Sequence, residues 1–181
     1  AAPSNGTSID DAAPSLGTQP RDLPPQWIGY QNGGELRGQA AALPAGPLTL
    51  RWQLAIGRGA GSSAAIADGT AYIGGPKGEV FAINIATGDI RWKYQQKSGF
   101  RTTPFIDEKN IYIGDSSGSL LALSRDSGLP VWTFDAEADI RSSVNRSGAN
   151  LYFGAVNGKF FCIDGSTGAP VWTLQTGDQI H

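Results

Sequence analysis

Four tryptophans spaced 40 residues apart, glycines recurring at the same step, and short apolar runs broken by Gly, Asn, Asp or Ser predict an all-β fold, a β-propeller of four-stranded antiparallel blades. The tryptophans are Trp52, Trp92, Trp132 and Trp172. The same step links Tyr72, Tyr112 and Tyr152; Gly74, Gly114 and Gly154; Gly78, Gly118 and Gly158; and Gly88, Gly128 and Gly168. Apolar positions follow it as Phe81, Leu121 and Phe161 and as Ile83, Leu123 and Ile163, with hydroxyl pairs at Ser62-Ser63, Thr102-Thr103 and Ser142-Ser143. No insertion interrupts these registers. A unit this short cannot bury both faces of a four-stranded sheet alone, so neighbouring units must do so, and rings of them close at about 4 to 8.

Residues 1–47 come first and have another composition. They carry 7 of the 11 prolines, with Ala, Gly, Ser and Thr between, and too little apolar surface to offset their own ordering entropy. They are expected to form an arm or linker. Within it Trp27, Ile28 and Tyr30 make an apolar anchor suited to docking on the adjacent domain or to binding a partner protein.

The propeller is expected from residue 48: a closing outer strand at 48–55, blades at about 61–95, 101–135 and 141–175, and the start of another blade at 180–181. In the second blade the strands are expected at 101–107, 110–115, 119–124 and 130–135, with turns at Glu108-Lys109 and Ser116-Ser117-Gly118. Ile180 holds the register of Ile140, and His181 that of Arg101 and Arg141. The sequence thus stops within a blade, and about three blades of a larger ring are expected.

The stretch ending at each tryptophan shows how a blade closes. Between Ala82 and Trp92 the chain passes Thr87-Gly88; between Ala122 and Trp132, Ser127-Gly128; between Cys162 and Trp172, Thr167-Gly168. Glycine supplies the positive φ of the turn and the preceding hydroxyl can bond the local backbone. The tryptophan then opens the outer strand, followed two residues later on the same face by Tyr94, Phe134 or Leu174. A ring of that size buries on the order of 200 Å², so Trp52, Trp92, Trp132 and Trp172, with Gly88, Gly128 and Gly168, are read as structural docking residues.

Composition removes several function classes. The 14 Lys and Arg are scattered singly against 16 Asp and Glu, for a net charge of -2, which leaves no basic face for a nucleic acid. No apolar run nears the roughly 18 residues of a membrane span. Cys162 stands alone, so neither an internal disulfide nor a CxxC metal site can form. The chain opens Ala1-Ala2-Pro3 and contains no Met, as expected of a mature form whose targeting segment has been removed.

The 40-residue period, the pattern A-x-(N/D/S)-x-x-(T/S)-G-x-x-x-W and the lead-in Pro47 to Trp52 resemble the pyrroloquinoline-quinone (PQQ)-like, or quinoprotein-type, repeat family. A WD40 propeller has a similar period, but here Trp is followed by Gln53, Lys93, Thr133 and Thr173, and no Gly-His opens a repeat. The resemblance covers residues 48–181, and extends to Trp27 onward as the short Trp-containing leader with which many members open, and it implies a ring of about 7–8 blades. It spans two kinds of protein, quinone-dependent alcohol dehydrogenases and non-catalytic assembly factors of the outer membrane, so fold and function must be argued separately.

A dehydrogenase of this family would need adjacent cysteines, acidic and amide ligands for Ca²⁺ and an Asp base. Cys162 reads instead as a small core residue. Asp68 and Glu108 lie at strand-edge turns, and Asp89, Asp126 and Asp164 at outer turns. No catalytic or metal-ligating set is therefore assigned, and no cofactor is visible; PQQ and Ca²⁺ enter only under the dehydrogenase alternative. The one candidate ligand site is Arg101, Arg141 and His181, which share a register at the start of the inner strand, where Gly61 stands in the first blade. They are either a partial positive ring at the channel mouth, suited to a carboxylate, phosphate or quinone, or solvated residues at loop ends. The expected function is a scaffold in a periplasmic or otherwise exported compartment, binding a partner protein or larger complex, membrane-associated complexes included, through rim loops and the Trp27/Tyr30 anchor.

Overall fold

The computed structural model describes residues 46–56 and 61–180. Over these the 40-residue period becomes three four-stranded antiparallel sheets, each a meander of consecutive strands. Blade 1 comprises β1 (Ala65–Ala67), β2 (Thr70–Gly74), β3 (Glu79–Asn84) and β4 (Ile90–Gln95). Blade 2 comprises β5 (Phe105–Ile106), β6 (Asn110–Gly114), β7 (Ser119–Ser124) and β8 (Pro130–Asp135). Blade 3 comprises β9 (Asn145–Ser147), β10 (Asn150–Gly154), β11 (Lys159–Asp164) and β12 (Pro170–Gln175). Trp27, Tyr30 and His181 lie outside the described residues.

The middle strands carry the core, and those of blade 2 are covered on both faces. In blade 2, Ile111, Ile113, Leu121 and Leu123 join the apolar cluster shared with Ala65, Tyr72 and Val80 of blade 1. The alternate residues Tyr112, Leu120 and Ala122 join the cluster shared with Leu151, Phe153 and Phe161 of blade 3. Double coverage is why β7 reads as the unbroken run Leu120-Leu121-Ala122-Leu123 rather than alternating with polar residues.

The inner strand is shorter than the expected 101–107, since only Phe105 and Ile106 pair with β6. Pro104 has no N–H to give a ladder. The Thr102 hydroxyl does the work of the backbone instead, donating to the Gly114 carbonyl and accepting from the Gly114 N–H, both at 3.1 Å. Ser142 repeats this clamp on Gly154 at 3.0 and 2.7 Å, which accounts for the hydroxyl register.

The outer strands β4, β8 and β12 each carry a bulge. Ala82 faces Trp92 while Ile83 faces Ile90, leaving Arg91 as the extra residue; Val131 and Val171 are its equivalents. Bulges bend a strand and re-aim its side chains. Pro130 and Pro170 open β8 and β12 at the sheet edge, where a missing N–H costs little.

Blades are joined by the tryptophans. Trp52 donates its indole N–H to the Ile85 carbonyl of blade 1 at 2.8 Å, Trp92 to Arg125 of blade 2 at 2.7 Å, and Trp132 to Gly165 of blade 3 at 3.1 Å. Each ring lies on the turn glycine three residues further on. A Cβ at Gly88, Gly128 or Gly168 would come within 2.9, 2.5 or 2.7 Å of the Trp52, Trp92 or Trp132 ring. These glycines also have φ of +81°, +71° and +73°, so backbone geometry and close approach both demand glycine. All three docked rings are half-buried. Residues 48–55, expected as a strand, place Trp52 in this dock but pair with no described strand, because no described sheet runs beside them.

Trp132→Ala is expected to destabilise the chain by about 3 kcal/mol, the low end for a large aromatic because the ring is only half-buried. Gly128→Ala should also destabilise, through both its φ and the Trp92 ring. Urea denaturation of the two variants measures this; a shift no larger than that of a surface substitution would contradict the dock.

Candidate functional site

Each blade has two ends. At one lie the β2–β3, β6–β7 and β10–β11 hairpin turns and the crossovers between blades. Here the backbone bonding repeats: Gln96 N–H to Gly78 O, Ala136 to Gly118 and Thr176 to Gly158 tether each crossover to its own blade. Phe100, Ile140 and Ile180 then cover Gly74, Gly114 and Gly154, where a Cβ would collide with them. Ser116 and Val156 close the joint by donating to Gly99 and Asp139 of the preceding crossover, at 2.9 and 3.0 Å.

Arg101 and Arg141 follow immediately after these covering residues, and both are exposed. Arg141 Nε donates to Asp139 Oδ2 at 2.8 Å, whereas Arg101 has no ion pair among the described residues. Their shared register therefore brings unequal groups: one cation is compensated locally, the other faces solvent. Beside them, exposed Glu137, at φ 62°, binds Lys159 of blade 3 at 2.6 Å.

Buried Asp115 organises the same end. It accepts from the Ser117 and Ser119 N–H groups at 2.9 and 2.8 Å, from the Ser117 hydroxyl, and from Gln96 Nε2 of blade 1 at 2.7 Å. Burial, and then the charge of Asp115, raise the Tyr94 pKa.

The opposite end holds the β1–β2 and β3–β4 turns and their equivalents, and its polar groups pin blades together. Arg125 of blade 2 reaches Asp68 of blade 1 at 2.6 Å while Nη1 donates to the Asp107 and Glu108 carbonyls. Between blades 2 and 3, Arg146 meets Asp107 at 2.7 Å. Tyr112 OH lies 2.7 Å from Asp107 Oδ2 and 3.2 Å from the Gly165 carbonyl that Trp132 also uses. Burial first, and then the Asp107 hydrogen bond and charge, push the Tyr112 pKa up to about 12, against opposing effects of Asn110 and Arg146.

An open cleft of about 330 Å³ lies between blades 1 and 2 at this end, lined by Asp68, Tyr72, Arg91, Trp92, Glu108 and Arg125 among others. At the blade 2–3 joint the corresponding residues are Glu108, Tyr112, Val131, Trp132, Gly148 and Gly165, so most of the charge is particular to the first joint. No three His, Cys, Asp or Glu residues converge as a metal site among the described residues. No helix among them is long and apolar enough to cross a membrane.

A family model described as outer membrane protein assembly factor BamB, built on the PQQ-type repeat, matches residues 37–180. The chain belongs to that family. BamB from Moraxella catarrhalis is 26% identical, with a TM-score of 0.57 over 64% of this chain and 37% of that one. Quinohemoprotein alcohol dehydrogenase ADHIIG from Pseudomonas putida HK5 is 21% identical, with a TM-score of 0.75 over 85% of this chain and 27% of that one. The computationally designed Ika4 protein shares the fold at 15% identity, with a TM-score of 0.61 over 67% of this chain and 76% of that one. This chain thus spans well under half the length of the two natural relatives. No curated protein sequence matches it significantly.

Asp107, Asp115 and Arg125 were not singled out from the sequence. Their signal is a break in the repeat: Asp107 stands where Ala67 and Ser147 stand, Asp115 where Gly75 and Ala155 stand, Arg125 where Ile85 and Gly165 stand.

Arg125→Ala is expected to cost about 1–2 kcal/mol because it strands backbone carbonyls, and Asp68→Asn under about 1 kcal/mol because its carboxylate is largely exposed; paired denaturation curves test the asymmetry. For Tyr112, a folded pKa above the ordinary value of 10.0 means its contribution is fully present below pH 10 and is lost as pH rises toward 12. Stability should fall over that window less steeply in Tyr112→Phe, which denaturation at pH 9 and pH 11 measures.

Proposed function

We propose that this chain is a non-catalytic propeller platform of an exported, periplasmic compartment, holding a partner protein or larger complex, membrane-associated complexes included, through its crossover end and residues 1–47. The observation that carries this reading is the match to the assembly-factor family over residues 37–180. The 26% identity to BamB of Moraxella catarrhalis points the same way. The geometry supports it physically: the crossovers share one backbone scaffold, yet Lys97, Glu137 and Gly177 occupy one exposed register with different chemistry. Fixed backbone with varied exposed side chains suits specific recognition.

The likeness to a quinohemoprotein dehydrogenase supports a second reading, the front part of a PQQ- and Ca²⁺-dependent alcohol or sugar dehydrogenase. The described residues do not fit that apparatus. Cys162 is the only cysteine and is buried, and Asp107 and Asp115 are committed to hydrogen bonds and ion pairs between blades. Under this reading Arg101, Arg141 and His181 would be the groups facing an anionic quinone.

Affinity capture from native extract should recover a stoichiometric partner with the full chain, and markedly less with a variant lacking residues 1–47 or carrying Lys97→Glu. Recovery of no partner, together with dye-linked alcohol oxidation on adding quinone and Ca²⁺, would replace the platform with the dehydrogenase.

A further inference from the structure

The crossover end presents one set of positions in every blade, and the charge placed on them differs. In blade 1 the hairpin turn and the crossover expose Lys77, Lys97 and Arg101. The equivalents are Ser117, Glu137 and Arg141 in blade 2, and Asn157 and Gly177 in blade 3, whose third position, His181, lies outside the described residues. Blade 2 compensates its Arg141 with Asp139, and its Glu137 is met by Lys159. Blade 1 has no such partners: Lys77, Lys97 and Arg101 form no ion pair among the described residues.

Packing prevents blade 1 from compensating its cations as blade 2 does. The place of Asp139 is held by Gly99, where a Cβ would collide with the Pro76 carbonyl, so no side chain fits there. Glu79, at the start of β3, is half-buried and its Oε2 turns back over Gly75. Asp115 is buried and taken up by Gln96, Ser117 and Ser119. The three cations spring from one stitched backbone: Gln95 Nε2 donates to the Lys77 carbonyl, Gln96 N–H to that of Gly78 and Phe100 N–H to that of Gly75, each at 2.9 Å. A partner meets their attachment points already ordered, which lowers the entropy cost of binding.

On the platform reading, we infer that Lys77, Lys97 and Arg101 form the recognition surface for an acidic segment of the partner protein, whose Asp and Glu carboxylates supply the compensation that blade 1 lacks. Complementary charge of this kind decides which surface is met and in which register. All three side chains are exposed, which suits carboxylates spaced along an extended chain rather than one enclosed small anion. The net charge of -2 disfavours a polyphosphate or an anionic bilayer, either of which would face the acidic remainder of the chain as well.

Fluorescein-labelled deca-glutamate, titrated with the full chain and read by anisotropy, should bind at about 10 mM salt and lose most of its affinity at about 150 mM. Lys77→Gln, Lys97→Gln and Arg101→Gln should each weaken binding about two- to fivefold, and the triple variant should not bind. Arg91→Gln, which removes an exposed cation from the opposite end, should change the affinity less than any of the three. In the unsubstituted chain, backbone amide NMR signals of Lys77, Gly78 and residues 96–101 should shift with the peptide while those of 136–141 stay in place. No binding at low salt, equal binding by the triple variant, an Arg91→Gln effect as large as the others, or amide shifts spread over both blades would each overturn the inference. Tighter binding of phosphatidylglycerol vesicles or single-stranded DNA through the same cations would overturn it too. In native extract the triple variant should lose the stoichiometric partner. A partner held equally well by the triple variant overturns the acidic-segment recognition and leaves the platform reading standing, whereas no partner on the unsubstituted chain overturns the platform itself.

Discussion

The structure depends on one repeated contact, an indole resting on a glycine of the next sheet. The N–H bond to a carbonyl fixes the ring's position, and the missing Cβ lets the ring approach the turn closely. Because glycine at positive φ is needed for the turn in any case, one residue choice serves folding within a blade and adhesion between blades. Small residues complete the arrangement: Ala82, Ala122 and Cys162 stand opposite Trp92, Trp132 and Trp172 in the adjacent strand. That placement, rather than reactivity, explains the lone cysteine.

Superimposed on this uniform contact are polar pins that differ from joint to joint. The first joint uses Arg125 with Asp68 and Gln96 with Asp115; the second uses Arg146 with Asp107 and Lys159 with Glu137. Apolar docking alone would let any two blades stick. Interface-specific pairs add a preference for the correct neighbour, since a mismatched joint would leave a partly buried charge uncompensated.

What the sequence revealed follows from what repetition enforces. The blades and their turns were legible because packing imposes the same residues every 40 positions, and of the four tryptophans expected to dock, Trp52, Trp92 and Trp132 lie against a turn glycine while Trp172 meets none among the described residues. The inner strand was overestimated because Thr102 and Ser142 replace ladder bonds with hydroxyl bonds, which strand patterning does not anticipate. The glycines were read correctly as turn residues, but the ring lying on each comes from a tryptophan 36 positions earlier in the chain, a pairing that only the three-dimensional stack displays. For the candidate site, register placed Arg101 and Arg141 at equivalent points, but it could not show that Asp139 compensates one of them. The pins were hidden because they are exceptions to the period, and a reading tuned to repetition passes over exceptions.

The outer edges of the three sheets are not equally guarded. The edge strand β4 carries two exposed cations, Arg91 lining the cleft toward blade 2 and Lys93 over the Phe81 ring, and charge on an edge strand is a deterrent to unwanted strand addition. On β8 and β12 those places are held by Val131 and Thr133 and by Val171 and Thr173, and the edge is interrupted by an opening proline, Pro130 or Pro170, and the bulge beside it. Crowded chains would therefore zip together preferentially along the second and third blades, making Val171–Leu174 the weak point for fibrous aggregation and the first place to put a lysine when solubility matters.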